Sequence, residues 1–144
     1  MLNRFLVLFF MLFWVGLASA QTTTTPWNSD QLQDPEALAN ILRNPKVQQP
    51  LIFNIGPMEN IKGATLIGPT NDKNNLAKLK EALSSVPKDR TVIIYCGCCP
   101  FKNCPNIRPA FELLKEMKFT KPRLLNLAHN LKSNWIDPGY PMEK

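Results

Sequence analysis

The sequence predicts an α/β protein with a mostly parallel central sheet flanked by helices. Three observations carry that expectation. Short apolar runs suited to strands alternate with segments of helical periodicity, an order that builds parallel sheets covered by helices. The run Thr91–Tyr95, TVIIY, lacks polar alternation, as a strand buried on both faces would. A helix whose start is marked by Pro109 then follows that strand across an intervening loop.

The chain opens with a single early positive charge, Arg4, then an apolar run Phe5–Leu17 and the small residues Ala18-Ser19-Ala20. That order matches a secretory signal peptide over residues 1–20. The apolar run is shorter than the roughly 20 residues that span a bilayer. The expectation is an exported protein, periplasmic or secreted, with no stable membrane insertion after cleavage. Residues 21–30 read as a flexible polar leader in which Trp27 has no evident role, and residues 31–144 as one folded domain.

Within that domain, Asp34-Pro35-Glu36 supplies an N-cap, a first-turn proline and an early acid. Ala37, Leu38, Ile41 and Leu42 follow at helical spacing, so a helix should run to about Arg43, ahead of Pro45. Leu51–Ile55 reads as a strand ended by Gly56-Pro57, and Ala64–Ile67 as another closed by Gly68-Pro69. Residues 74–86 place Leu76, Leu79, Ala82 and Leu83 on one helical face. Beyond strand 91–95, Ile107, Ala110, Phe111, Leu114 and Met117 recur at helical spacing. Proline is tolerated in a helix only in its first turn, so Pro109 sets the start near Asn106, a residue suited to N-capping. Arg123–Leu127 reads as a further strand and Asn130–Trp135 as a turn or short helix.

The formal net charge is +6, but the basic residues are interleaved with acids rather than gathered into a stripe. A nucleic-acid partner is therefore not expected. All four cysteines fall in the stretch TVIIYCGCCPFKNCPNIRP. Thiols so close together cannot brace a whole domain in the way of a stapled exported fold. They make a site.

Cys96 is the first residue past strand 91–95, and in α/β sheets ligands bind outside the carboxyl ends of strands. Inward-turned loop amides and a nearby helix N-terminus both favour an anion, and so favour thiolate over thiol. Cys96 is accordingly the candidate nucleophile. Gly97, Cys98, Cys99, Lys102, Cys104 and Asn106 make up the loop around it, with Arg108 a candidate electrostatic helper.

At this point the sequence resembles a known family, the rhodanese-like domains, over roughly residues 48–141. Residues 50–64, PLIFNIGPMENIKGA, look like that family's early strand and its "H-I-x-G-A" segment, with Asn60 where histidine is common. Tyr95-Cys96 matches the strand end that delivers the family's catalytic cysteine. Trp135 with Gly139-Tyr140-Pro141 looks like its closing "W…GYP". Asn54 and Gly56 stand where the family carries Asp and Arg, His129-Asn130 where it carries a Gly pair, and the cysteine loop is longer. "CGCCPxxxCPNxRPAF" resembles a small exported subgroup.

The resemblance implies sulfane-sulfur transfer. A Cys96 thiolate would attack a small donor such as thiosulfate or a persulfide, then pass the outer sulfur to a thiol, that of a partner protein included. No cofactor and no metal are expected for this chemistry.

Other readings compete. Cys96-Gly97-Cys98-Cys99 contains a C-x-x-C, the mark of a thiol–disulfide relay, although Pro100 and Pro105 argue for an extended loop rather than a helix beginning inside the motif. Cys98, Cys99 or Cys104 would be the resolving or disulfide partners. Four thiolates also match a zinc or copper(I) site in number, with the adjacent Cys98 and Cys99 ill-spaced for one tetrahedral centre. A non-catalytic binding module, or a local Cys99–Cys104 disulfide beside a reactive Cys96, remain as alternatives.

Overall fold

A computed structural model describes residues 27–144; the expected signal peptide and residues 21–26 of the leader lie outside them. Five strands form one sheet: β1 (Leu32–Gln33), β2 (Leu51–Asn54), β3 (Ala64–Leu66), β4 (Thr91–Tyr95) and β5 (Lys121–Leu125). Their spatial order is β1-β5-β4-β2-β3 and every neighbouring pair is parallel. Helices α1 (Pro35–Arg43), α2 (Lys73–Ala82) and α3 (Ile107–Glu116) flank it. The α/β architecture read from the sequence is the one observed, and the arrangement is consistent with a rhodanese-like fold.

β4 organises the core because its side chains alternate between the two faces. Val92, Ile94 and Cys96 point to one side, where Leu79 and Leu83 of the α2 segment and Ile107, Ala110, Phe111 and Leu114 of α3 cover them. Ile93 and Tyr95 point to the other, against Leu38, Ala39 and Leu42 of α1 and the fully buried Trp135. A strand sandwiched in this way must be apolar at every position, which is what TVIIY supplies.

Several boundaries moved. α2 stops at Ala82 rather than running to 86: the Ser84 hydroxyl donates to the Glu81 carbonyl at 2.7 Å, replacing the helical bond that would continue it. β5 begins at Lys121, two residues before its expected start, so a proline lies inside it. Pro122 shares the parity of Leu124, on the side facing β1, and β1 is too short to reach it; no ladder bond is lost. β1 itself is two residues long and carried no periodic signal. Lys132–Ile136 forms a single π-helical turn.

The leader reading requires a correction from Trp27 onward. Trp27 is buried, with its ring 5.8 Å from that of Phe101 and 6.4 Å from that of Phe111. Asn28 and Gln31 form a reciprocal capping box that starts the short turn Ser29–Gln31. A large aromatic anchor next to a cap fixes the backbone there despite the polar composition around it.

The carboxyl ends of β2 and β4 mark the point where the chain order reverses. From β2 the chain passes to β3 on one side; from β4 it passes through α3 to β5 on the other. Crevices at such switch points are where α/β sheets place their ligands. Cys96 follows β4 there.

Candidate active site

Cys96 stands just past β4 at that switch point and is only 2% exposed. Gly56, just past β2, packs directly against it. A Cβ on Gly56 would lie 2.3 Å from the Cys96 carbonyl oxygen and 2.6 Å from its sulfur, so no other residue fits without displacing the cysteine. The Ile55 amide donates to the Tyr95 carbonyl at 2.8 Å, holding the two strand ends together at that contact. The residue that stands where the resembled family carries arginine is therefore a steric requirement of this site.

Asn54, where that family carries aspartate, is fully buried and needs its amide. Its Nδ2 donates to the Met58 carbonyl at 2.6 Å and to Asn60 Oδ1 at 2.9 Å, while its Oδ1 accepts from the Gly56 amide at 3.1 Å. A carboxylate would place an acceptor against two acceptors. The same loop is pinned from below by Tyr95, whose hydroxyl donates to the Glu59 carbonyl and accepts from the Ile61 amide, each at 3.0 Å. Burial pushes the Tyr95 phenol upward in pKa, so it remains a neutral donor.

The cysteine loop arches from Cys96 to the start of α3. Gly97 has φ +81°, and a Cβ there would come within 2.9 Å of Leu131 Cβ, so glycine alone suits the turn between Cys96 and Cys98. The Leu131 amide donates to the Gly97 carbonyl at 2.8 Å, and the Phe101 amide to the Leu127 carbonyl at 3.3 Å. Both bonds tie the loop to the segment that follows β5.

Asn106 occupies the N-cap position of α3, as expected, but its side chain does not cap the helix. Its Nδ2 donates instead to the Cys96 sulfur at 3.2 Å. The orientation is fixed from the other end, because Asn106 Oδ1 accepts from the Asn71 amide at 3.1 Å. The Thr70 hydroxyl adds a 2.6 Å bond to the Asn106 carbonyl. Thr70 and Asn71, in the β3–α2 connection, were invisible as site residues in the sequence; a capping residue whose cap bond is missing is the only local hint, and it appears only in three dimensions.

All four cysteines carry free thiols, so no Cys99–Cys104 bridge shapes the loop. The sulfurs of Cys96, Cys98 and Cys104 lie within 4.8 Å of one another, the one such cluster of candidate ligand groups among the described residues. Cys98 Sγ stands 3.3 Å from Cys96 Sγ and 3.2 Å from Cys99 Sγ. Cys96 and Cys104 are buried, whereas Cys98 is exposed.

These neighbours decide which sulfur ionises. The Cys96 pKa is pushed down to about 5, chiefly by a hydrogen bond from the Cys104 thiol. Burial opposes the shift; the Asn106 amide, the Cys98 backbone N–H and the Cys98 thiol assist it. Cys104 moves upward because it keeps its proton to donate to Cys96. Cys98, though exposed at the surface, is pushed up to about 12 by partial desolvation of its thiol and by bonds with the Cys99 and Cys96 thiols. One thiolate among protonated donors is the resulting state.

Lys102 is exposed in the short turn Phe101–Asn103, and neither it nor Arg108 is among the groups that act on the Cys96 sulfur. Arg108 is exposed too and lines a surface crevice with Trp27, Gln31 and Glu112. His129 is also exposed; its backbone N–H donates to Asn134 Oδ1 at 2.7 Å. Trp135 donates through Nε1 to the Pro141 carbonyl at 3.0 Å and packs edge-on against Tyr140, closing the domain on the face away from the sulfur.

The site therefore offers a buried, low-pKa thiolate at a strand end, surrounded by hydrogen-bond donors and other thiols. It suits attack on an electrophilic sulfur, and three sulfurs so close also match the donor type of a thiophilic metal ion. No family model matches the chain and no curated protein matches it. Its class is that of α/β proteins with a cysteine at the switch point of a parallel sheet.

Proposed function

We propose that this chain is an exported sulfurtransferase that carries sulfane sulfur as a persulfide on Cys96. The Cys96 thiolate attacks the outer sulfur of a small donor such as thiosulfate. The sulfur–sulfur bond of the donor breaks, sulfite leaves with the bonding pair, and Cys96–S–S⁻ remains. A thiol or another nucleophile, from a small molecule or a partner protein, then takes the outer sulfur and regenerates the thiolate. Neither step calls for a metal or a cofactor.

The observation that carries this reading is the set of neutral groups on the Cys96 sulfur: Asn106 Nδ2 donating at 3.2 Å, the Cys98 thiol at 3.3 Å and the Cys104 sulfur within 4.8 Å. Such donors stabilise a thiolate before attack and a persulfide anion after it, in the manner of an oxyanion hole. Export is part of the proposal on the strength of residues 1–20 alone. Among the described residues no helix is long and apolar enough to cross a membrane.

The test is sulfite release. Reduced, purified protein mixed with thiosulfate should liberate one sulfite per chain in a single turnover, and Cys96→Ser should liberate none. Equal release by the Cys96→Ser protein would end the proposal, and so would no release from the wild type. Metal analysis of the active protein separates this reading from a thiolate metal site, which would require stoichiometric metal.

A further inference from the structure

A buried persulfide faces a delivery problem. Cys96 is 2% exposed, so a bulky acceptor has poor access to sulfur held there. An exposed residue already touches it: Cys98, with its sulfur 3.3 Å from the Cys96 sulfur. Relying on the persulfide reading above, we propose that Cys98 resolves the Cys96 persulfide internally, releasing hydrosulfide and leaving a Cys96–Cys98 disulfide, so that the protein acts as a reductase of sulfane sulfur toward an external dithiol.

The step balances. Cys98–SH and Cys96–S–S⁻ give Cys96–S–S–Cys98 and HS⁻. The bond formed joins the two cysteine sulfurs, and the bond broken is that between Cys96 Sγ and the outer sulfur. The proton of Cys98 passes to the outer sulfur as the new bond forms, so Cys98 attacks with thiolate character and the outer sulfur departs as HS⁻. The outer sulfur gains two electrons and the two cysteine sulfurs together lose two. An external dithiol then reduces the disulfide by ordinary exchange through the exposed Cys98 sulfur.

Geometry selects Cys98 over the other two cysteines. Cys98 Sγ contacts the sulfur of Cys96 itself, so the atom within its reach in the persulfide is the inner one, and attack there expels the outer sulfur. A disulfide needs the 3.3 Å separation to close to about 2.05 Å. Gly97, at φ +81°, is the residue between them. Cys104 is buried, which leaves a disulfide there out of reach of an external thiol, and its thiol is already engaged as a donor to Cys96. Cys99 touches Cys98 and is not part of the cluster around Cys96.

The experiment is a single turnover of pre-reduced protein with thiosulfate, with no thiol or cyanide present. Sulfite, hydrosulfide and the cysteine bonding pattern are measured together, the last by alkylation and peptide mass mapping. The expected result is equal sulfite and hydrosulfide from the wild type, with the disulfide mapped to Cys96–Cys98. In Cys98→Ser the sulfur should instead stay on Cys96, with hydrosulfide lost. Sulfite without hydrosulfide from the wild type, hydrosulfide from Cys98→Ser, or a disulfide mapped to Cys99 or Cys104 would each overturn the resolving role while leaving the persulfide step standing. Absence of sulfite from the wild type would overturn the persulfide step, and this inference with it.

Discussion

Removing the Asn106 amide should raise the Cys96 pKa by an amount the geometry sets. Asn106 Nδ2 donates to the Cys96 sulfur at 3.2 Å, and its Oδ1 is anchored by the Asn71 amide. A hydrogen bond to a charged group is worth about 1.5–3 kcal/mol, and each pKa unit corresponds to about 1.4 kcal/mol. Asn106→Ala should therefore move the Cys96 midpoint from about 5 to about 6–7. Near pH 6, the thiolate fraction would fall roughly two- to ten-fold. Asn106→Asp keeps an acceptor for the Asn71 amide but sets a carboxylate against the sulfur, so its rise should be the larger of the two. The assay is the pH dependence of iodoacetamide alkylation, resolved on the Cys96 peptide, since thiolate and not thiol reacts. A folded Asn106→Ala protein whose midpoint stays near 5 would refute the reasoning, because the donor would then contribute nothing to the ionised state.

Three further outcomes follow from the same contacts. Gly56→Ala would drive a methyl against the Cys96 carbonyl and sulfur at 2.3 and 2.6 Å; overpacking of this kind costs about 1–3 kcal/mol, and thermal unfolding should show that loss together with reduced Cys96 alkylation. Asn54→Asp is nearly isosteric but turns donors to Met58 and Asn60 into acceptors, so the urea midpoint should drop by the equivalent of about 1–3 kcal/mol; an unchanged midpoint would show that the amide orientation is immaterial. Stability should also depend on pH through Cys96. A thiol whose folded pKa is depressed stabilises the fold fully above its unfolded value, and that contribution is lost as pH falls through the folded one. The urea midpoint of the wild type should therefore decline from about pH 9 to about pH 5, and Cys96→Ser should flatten that slope.

The architecture was readable because burial on both faces of a sheet leaves a plain signature in composition. TVIIY could hardly be anything but a central strand, and Asp34-Pro35-Glu36 could hardly fail to open a helix. What escaped was whatever depended on partners distant in sequence. Lys121-Pro122-Arg123 resembles a turn until β4 is seen to pair with it, and Trp27 looks idle until Phe101 and Phe111 are seen beside it.

The site divides along the same line. Cys96 could be picked out by its place at the end of a strand, and Asn106 could be placed at the start of α3. That the Asn106 side chain abandons its helix for the sulfur could not be inferred, because Thr70 and Asn71 hold it there from another connection. Nor could charge counting reveal that Lys102 and Arg108 both stand exposed at the surface. The neutral thiol of Cys104 and the neutral amide of Asn106 act through short-range hydrogen bonds, which leave no trace in net charge.

The most direct test of the central claim is the intact mass of reduced Cys98→Ser protein after thiosulfate treatment. Removing the resolving thiol should hold the sulfur where it first lands. The account expects a gain of one sulfur atom, reversed by reductant and abolished when Cys96→Ser is added. An unchanged mass, or a gain that survives loss of Cys96, would contradict it.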